Sequence, residues 1–554
     1  MIKPLKAKAL SPQILKKVGG FLSEARTLVS NDQLSQACEI YKSILQLDPN
    51  CLEALHVLAS LHFHFKNFDS ALTLLLKGAE LTPKNPQIQL LAGKCARELK
   101  KFNLAESCLL ASLKLDSNQD DANLELGLVY FAQARLDLAL QALERALFLN
   151  SGNYDAFNNL GVVLKESGDF DRALNAYDQA ILLNSANSNA YANRGVLFHM
   201  LGRFDEALID LDRAIELSPL SAANHLSKGQ LLLTLGELTQ GWNEFEWRWE
   251  YLRDNQLNTS RYHDYPLWSG RESLVGKTIL LYAEQGLGDT LQFCRYASLV
   301  AQLGGRVILE CEASLFELLR TLEGVDHLII QGAEGALPEF DYQCPLMTLP
   351  RVFRTTLDSI PNNVPYLSAR ADKVLDWSKK LRTDFESKAL RRPKVGLVWS
   401  GGFRADQPEL WAVNKRRNVS LSAFATFADL PIDFYSLQKG ALAEAELTEL
   451  LSLQWAGPHI RNYTAGLKDF SDTAALIANL DLVISVDTST AHLSAAMGKP
   501  TWVLNRYDTC WRWLLNRADS LWYPSVKLYR QSKIGQWDDV ITSVKRDLLH
   551  FYCN

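Results

Sequence analysis

Two short segments of the chain combine glycine, acidic and hydroxyl side chains as a strand-to-helix turn must in order to meet a ligand. In AEQGLGDTLQFCRYASL, a strand ending at Ala283 leads into Gly286 and Gly288, which permit a tight turn and close approach of a ligand, and Asp289 opens the next helix. A carboxylate there points into the space beyond the strand end. Capping is the competing reading, because aspartate at a helix start contributes about 0.5–2 kcal/mol whatever the function. In VISVDTSTAHLSAAMGKP, Asp487, Thr488 and Ser489 follow a buried strand, and His492 lies one turn into a helix. Backbone N–H groups and hydroxyls in such a turn can hold a diphosphate, helped by the positive helix end. Asp487 itself repels phosphate and suits orienting the loop or accepting sugar hydroxyls. For His492 the alternative is plain packing.

Both turns sit in a region where strand and helix alternate. From Lys277 the order is TILLYA, a glycine-bearing turn, an amphipathic helix through Val300, RVILEC and a further helix, which is an α/β pattern. A second such unit begins at VGLVWSGG and continues through DFYSLQ, SDTAALIANL, LVISV and TWVLN. The expected boundaries are an α/β unit over 277–375, a polar hinge over 376–393 and a second α/β unit over 394–554. Two such units leave a cleft along the carboxyl ends of their strands.

The preceding half has a different period. Taking Val18 as position one, successive thirty-four-residue units begin at Leu52, Pro86, Asp120, Tyr154 and Ser188. Position eight reads Ala25, Ala59, Gly93, Gly127, Gly161, Gly195, and position twenty reads Ala37, Ala71, Ala105, Ala139, Ala173, Ala207. Small residues there let two antiparallel helices approach, and Pro49, Pro83 and Pro219 at position thirty-two end the second helix. This is tetratricopeptide periodicity, six full units and a seventh, atypical hairpin ending in GWNEFEWRWEY, over 1–251 with a linker over 252–276. Trp242, Phe245, Trp247 and Trp249 in that hairpin cover the end of the stack or join it to the α/β region.

Composition narrows the function classes. The chain has 554 residues, is 47% hydrophobic and carries a formal charge of −5. Residues 1–250 hold 24 Lys+Arg against 29 Asp+Glu, leaving 34 of each in the remainder, so the acidic excess lies in the repeats and no basic stripe marks a nucleic-acid binder. Nine cysteines without C-x-x-C spacing, among them Cys38, Cys95 and Cys108 in apolar helical patterns, read as reduced core thiols. The basic start MIKPLKAKALSPQ lacks the apolar run of a secretory signal, and no stretch reaches the ~18 apolar residues of a membrane span. The expected location is cytoplasmic.

The chain also resembles a known family. GLGD before a helix, with VDTSTAHLSAAMGKP some two hundred residues later, is similar to the paired motifs of bacterial heptosyltransferases, glycosyltransferase family nine enzymes of the GT-B fold. Repeats ending in FEWRW, followed by AEQGLGDTLQFCRYA, VGLVWSGG, SLQ and ISVDTSTAHL, resemble bacterial repeat-plus-glycosyltransferase proteins. The fold this implies is multidomain: an all-α tetratricopeptide superhelix followed by an α/β GT-B region with two Rossmann-like domains, acceptor side first.

The resemblance further implies that Asp289 is the general base that deprotonates an acceptor hydroxyl, and that Asp487, Thr488, Ser489 and His492 form the donor-binding turn, with Gly286 and Gly288 beside it. Lys415, Arg416 and Arg417 follow VGLVWSGG near where the family supplies a basic residue to the phosphates; Arg417 is preferred, a solvated charge run being the alternative. Gln438, ending FYSLQ, lies where it could meet the nucleotide. The loop GGFRADQPELWAVNKRRN is longer than the family's corresponding segment, and the tryptophans of DTCWRWLLNRADSLWYP come after the last core strand. No Asp-x-Asp near a strand end suggests a metal, and no cofactor is expected besides the nucleotide-sugar substrate.

A repeat superhelix half the chain long suits an extended polypeptide better than a small saccharide. The leading expectation is therefore an inverting, metal-independent transferase acting on a protein; its bacterial relatives suggest flagellin or another surface protein. Asn159 and Asn193, at position six of their repeats, could hydrogen-bond a threaded backbone, although Val57, Leu91 and Glu125 occupy that position earlier. A lipopolysaccharide-type saccharide transferase that uses the repeats for docking, and a non-catalytic scaffold with an inactive transferase domain, are the alternatives.

Overall fold

The computed structural model describes residues 11–255, 261–262, 264–333, 337–383, 392–402, 411–453 and 455–552. The chain divides into two compact units, 1–194 and 195–554.

In the first unit, helices such as Leu52–His64, Phe68–Leu81, Pro86–Glu98 and Phe102–Leu115 alternate as antiparallel pairs. The small positions do what their size demands. Ala25, Ala37, Ala59, Ala71, Ala105, Ala139 and Ala173 have no exposed surface, and a Cβ added to Gly93 or Gly161 would lie 2.6 Å from Leu109 Cγ or 2.5 Å from Tyr177 Cε1. Any side chain there would force the paired helices apart. Position fifteen, where the chain reverses, needs a left-handed backbone: Asp32, Lys66, Lys100 and Ala134 have φ of 59, 58, 57 and 58°, and Gly168 takes the position at 88°. Cys38, Cys95 and Cys108 are free, buried thiols.

The second unit begins with the last hairpins, Phe204–Leu217 with Ala222–Leu235 and the short helix Leu238–Phe245. They do not end in solvent. Trp242 is 1% exposed and sets its ring edge against Phe293 at 5.9 Å and Trp511 at 5.1 Å, so the aromatic hairpin joins the repeats to the α/β region. Beside it the buried Arg248 donates to Glu284 at 2.8 and 3.0 Å and to Glu246 at 2.6 Å, tying FEWRW to the segment that precedes Gly286.

Two parallel sheets complete this unit. The first comprises β1 (Thr278–Tyr282), β2 (Arg306–Cys311), β3 (His327–Ile330) and β4 (Tyr342–Pro345), in the order β3-β2-β1-β4. The second comprises β5 (Lys394–Val398), β6 (Asp433–Ser436), β7 (Ile460–Asn462), β8 (Leu482–Val486), β9 (Thr501–Asn505) and β10 (Val526–Arg530), in the order β10-β9-β8-β5-β6-β7. Both are covered by helices, which is why strands such as LVISV and TWVLN are buried along their whole length rather than on alternate residues. The order in the second sheet reverses between β5 and β8, and ligands of such sheets bind beyond the carboxyl ends of strands at that point. Part of the segment expected as a hinge is helical: Ala371–Thr383 buries Trp377 and Leu381, four residues apart on one face. No described helix is long and apolar enough to cross a membrane.

Candidate functional site

The turn after β1 enters the helix Leu287–Phe293, and Asp289 faces two ways there. Its Oδ2 accepts from the Gly286 N–H at 2.8 Å, which is the cap, while Oδ1 is bound by the Arg512 guanidinium. The cap and the ion pair thus use different oxygens of one carboxylate, whose side chain keeps 19% exposure.

The turn after β8 lies directly against this one. A Cβ on Gly288 would come within 3.1 Å of His492 Cδ2 and 3.6 Å of Ser489 Cα, so the glycine lets the two turns meet. Asp487, Thr488 and Ser489 are half-buried, and no side chain caps the helix Ser489–Ala496 that they introduce. Its first-turn amides therefore form an anion-favouring end. His492 is enclosed: it is 4% exposed, stacks on Trp513 at 5.4 Å, and its Nδ1 meets the Tyr523 hydroxyl at 2.9 Å. Burial pushes its pKa down to about 4, against the pull of Asp487, so it is a neutral ring near pH 7 and supplies no cation.

Of the three basic residues, Arg417 reaches the switch point between β5 and β8. It donates to the Asp487 carbonyl at 3.2 Å and to Asn414 Oδ1 at 2.5 Å, and it fills the space where Gly401 has no side chain. Arg416 turns away to Asp508, at 3.0 Å. Gln438 braces the end of β5: its Oε1 accepts from the Trp399 and Ser400 N–H groups at 3.0 and 2.9 Å, and its Nε2 donates to the Ser400 and Lys439 carbonyls at 2.9 Å each. It shapes a cavity of about 420 Å³ beyond β5 and β6, lined by Ser400, Gly401, Asn414, Asn418, Lys439 and Glu446. That volume is in the range that holds a small ligand. Residues 403–410 of the long loop lie outside the described residues.

In the unit 1–194, Asn159 is half-buried, and Asn193 Nδ2 donates at 3.0 Å to Asn158 Oδ1 of the preceding repeat. The sequence reading missed Arg512, its acceptor Gln292 and the cavity beyond β5. A cation flanked by aromatic residues, as in TCWRW, was the available signal for the first; the others depend on contacts between distant segments.

Comparison with known proteins bears on this geometry. Residues 28–95, 90–155 and 158–222 match tetratricopeptide-repeat profiles. Residues 446–509, which include the Asp487 turn, match glycosyltransferase family 9 (heptosyltransferase). Protein FlbA of Caulobacter vibrioides is 29% identical over 309 residues, 51% of this chain and 48% of that protein, so the chain spans about half the length of this relative. Solved structures similar to the chain include MamA, 28% identical over 30% of this chain and 96% of its own, TM-score 0.27. A tetratricopeptide repeat protein from Parabacteroides merdae is 17% identical, covering 44% of this chain and 95% of its own, TM-score 0.39.

Proposed function

We propose that the protein is an inverting, metal-independent glycosyltransferase that moves a sugar from a nucleotide-sugar donor to a protein acceptor engaged by the repeats. The observation that carries this reading is the opposition of Asp289 and the Asp487–Ser489 turn across one seam, at the carboxyl ends of β1 and β8. In the reaction, Asp289 takes the proton of the acceptor hydroxyl, whose oxygen attacks the anomeric carbon as the bond to the diphosphate breaks on the opposite face. Charge developing on the departing diphosphate is offset by Arg417 and by the N-terminal amides of the helix Ser489–Ala496, in the role a divalent metal fills in other transferases. The nucleoside end of the donor fits the cavity beyond β5 and β6, whose wall Gln438 fixes. Thr488 and Ser489 offer hydroxyls, Asp487 serves the sugar, and His492 packs beneath the turn.

The length of the repeat region supports an extended polypeptide as acceptor, with Asn159 and Asn193 among its hydrogen-bonding groups. One observation favours a saccharide acceptor instead: the matched family is described by its heptosyltransferases. The deciding experiment incubates the full chain with a panel of UDP-, GDP-, ADP- and CMP-linked sugars and proteins extracted from a bacterial cell. Mass spectrometry of the protein, lipid and glycan fractions then locates the product. Sugar on protein, lost in the Asp289→Asn variant, is expected. Product only on lipid or glycan would replace the acceptor, and absence of donor binding across the panel would leave only a scaffold.

A further inference from the structure

Arg512 lies in the short turn Trp511–Trp513 that comes after β9, and its guanidinium is held by three contacts. Nη2 pairs with Asp289 Oδ1, Nε donates to Gln292 Oε1 at 2.7 Å, and Nη1 donates to Cys510 Sγ at 3.1 Å. The guanidinium also stacks over the Trp511 ring at 4.2 Å. It is 12% exposed, so the cation needs an anionic partner where it stands.

Two features make this pairing exchangeable. A guanidinium carries five N–H donors in a planar fork; three are engaged here, one of them on sulfur, a weak acceptor. A diphosphate offers several charged oxygens to the same fork and attracts it more strongly than one carboxylate oxygen does. Asp289, meanwhile, is bound on both oxygens, by Arg512 and by the Gly286 N–H, so an acceptor hydroxyl would have to share an oxygen that another donor already occupies. The turn that would hold the diphosphate is adjacent, since Gly288 abuts Ser489 and His492.

Resting on the transferase reading above, we propose that Arg512 exchanges partners, from Asp289 in this structure to the donor diphosphate on binding, which both holds the leaving group and releases Asp289 to act as base. Donor binding then precedes activation of the base, and an acceptor arriving alone meets a carboxylate already paired. No covalent bond changes in the exchange itself.

The test is a thermodynamic cycle on the full chain, using calorimetry with UDP, ADP and GDP as probes and the matching nucleosides as controls. Arg512→Met should weaken binding of the preferred diphosphate about 10- to 100-fold, as loss of a charged hydrogen bond does, and leave the nucleoside unaffected. Asp289→Asn should tighten the diphosphate severalfold, because it removes the competing anion; simple relief of charge repulsion would persist without Arg512, whereas the exchange gain would not. The double variant should lose that gain. If Asp289→Asn leaves affinity unchanged or lowers it while Arg417→Gln weakens binding, the exchange is overturned and the donor site stands. If the unaltered chain binds none of the three diphosphates, both the exchange and the transferase reading fall. Should Arg512→Met not fold, the Asp289→Asn arm decides, with Arg512→Lys expected to keep part of the affinity.

Discussion

Glycine serves one purpose in the repeats and another in the sheets. Gly93 and Gly161 make room for Leu109 and Tyr177, each sixteen residues further along the neighbouring helix, so the contact repeats with the unit and is written locally. Gly288 makes room for His492, from the helix that follows a strand of the other sheet, and the glycine is useful only if the whole chain between them folds correctly. The repeats are held by local, redundant contacts, whereas the site is held by single contacts of long range. Damage to a repeat should therefore be graded, and damage at the seam severe and specific.

The largest expected effect sharpens that contrast at the seam. Asp289→Asn should lower turnover about 10²- to 10⁴-fold, the usual worth of a general base, with no change in the melting of 1–194 followed by calorimetry. Trp242→Ala tests to which side the last hairpin belongs. A buried tryptophan lost from the contact with Phe293 and Trp511 should cost about 3–5 kcal/mol, and the loss should appear in the transition of 195–554 rather than that of the early repeats.

Acidification should act on the seam in the same direction. His492 is neutral in the folded protein with its pKa pushed down to about 4, whereas the unfolded chain binds that proton near pH 6.5. Its contribution is thus fully present above pH 6.5 and lost as pH falls towards 4. The magnitude is about 3 kcal/mol at 1.36 kcal/mol per pKa unit, and denaturant midpoints measured against pH should flatten in His492→Gln.

Smaller effects belong to the repeats. Gly161→Ala, which sets a methyl 2.5 Å from Tyr177, should cost about 1–3 kcal/mol and broaden the transition of 1–194 without abolishing it. Ala134→Gly should raise stability by about 0.5 kcal/mol, since φ of 58° strains alanine but not glycine; an equal loss in urea titration would count against strain at that turn.

Much of the fold was legible because its signals are periodic. The thirty-four-residue spacing of small side chains located every described repeat hairpin, and short, mostly apolar runs located β1, β5, β8 and β9. The helix Ala371–Thr383 was less visible: its apolar residues Val374, Trp377 and Leu381 are outnumbered by charges, so composition read as a hinge while spacing specified a helix. At the site, the two turns could be found from their glycines and acids, but the condition of each side chain could not. Nothing local distinguishes His492 enclosed by Trp513 and Tyr523 from a histidine open to ligand, or Gln438 bracing a backbone from one facing a nucleotide.

Taken alone, the sequence determined the repeat architecture, the two α/β units and the positions of the turns, because these depend on side-chain size and period within a few residues of each other. Only the tertiary structure decided that Asp289 caps with one oxygen and meets Arg512 with the other, that Arg417 rather than Arg416 reaches the β5–β8 switch point, and that the aromatic hairpin belongs with the sheets. Those outcomes depend on which distant groups burial brings together, and charge, hydrogen bonding and pKa are set by that company rather than by the local run of residues.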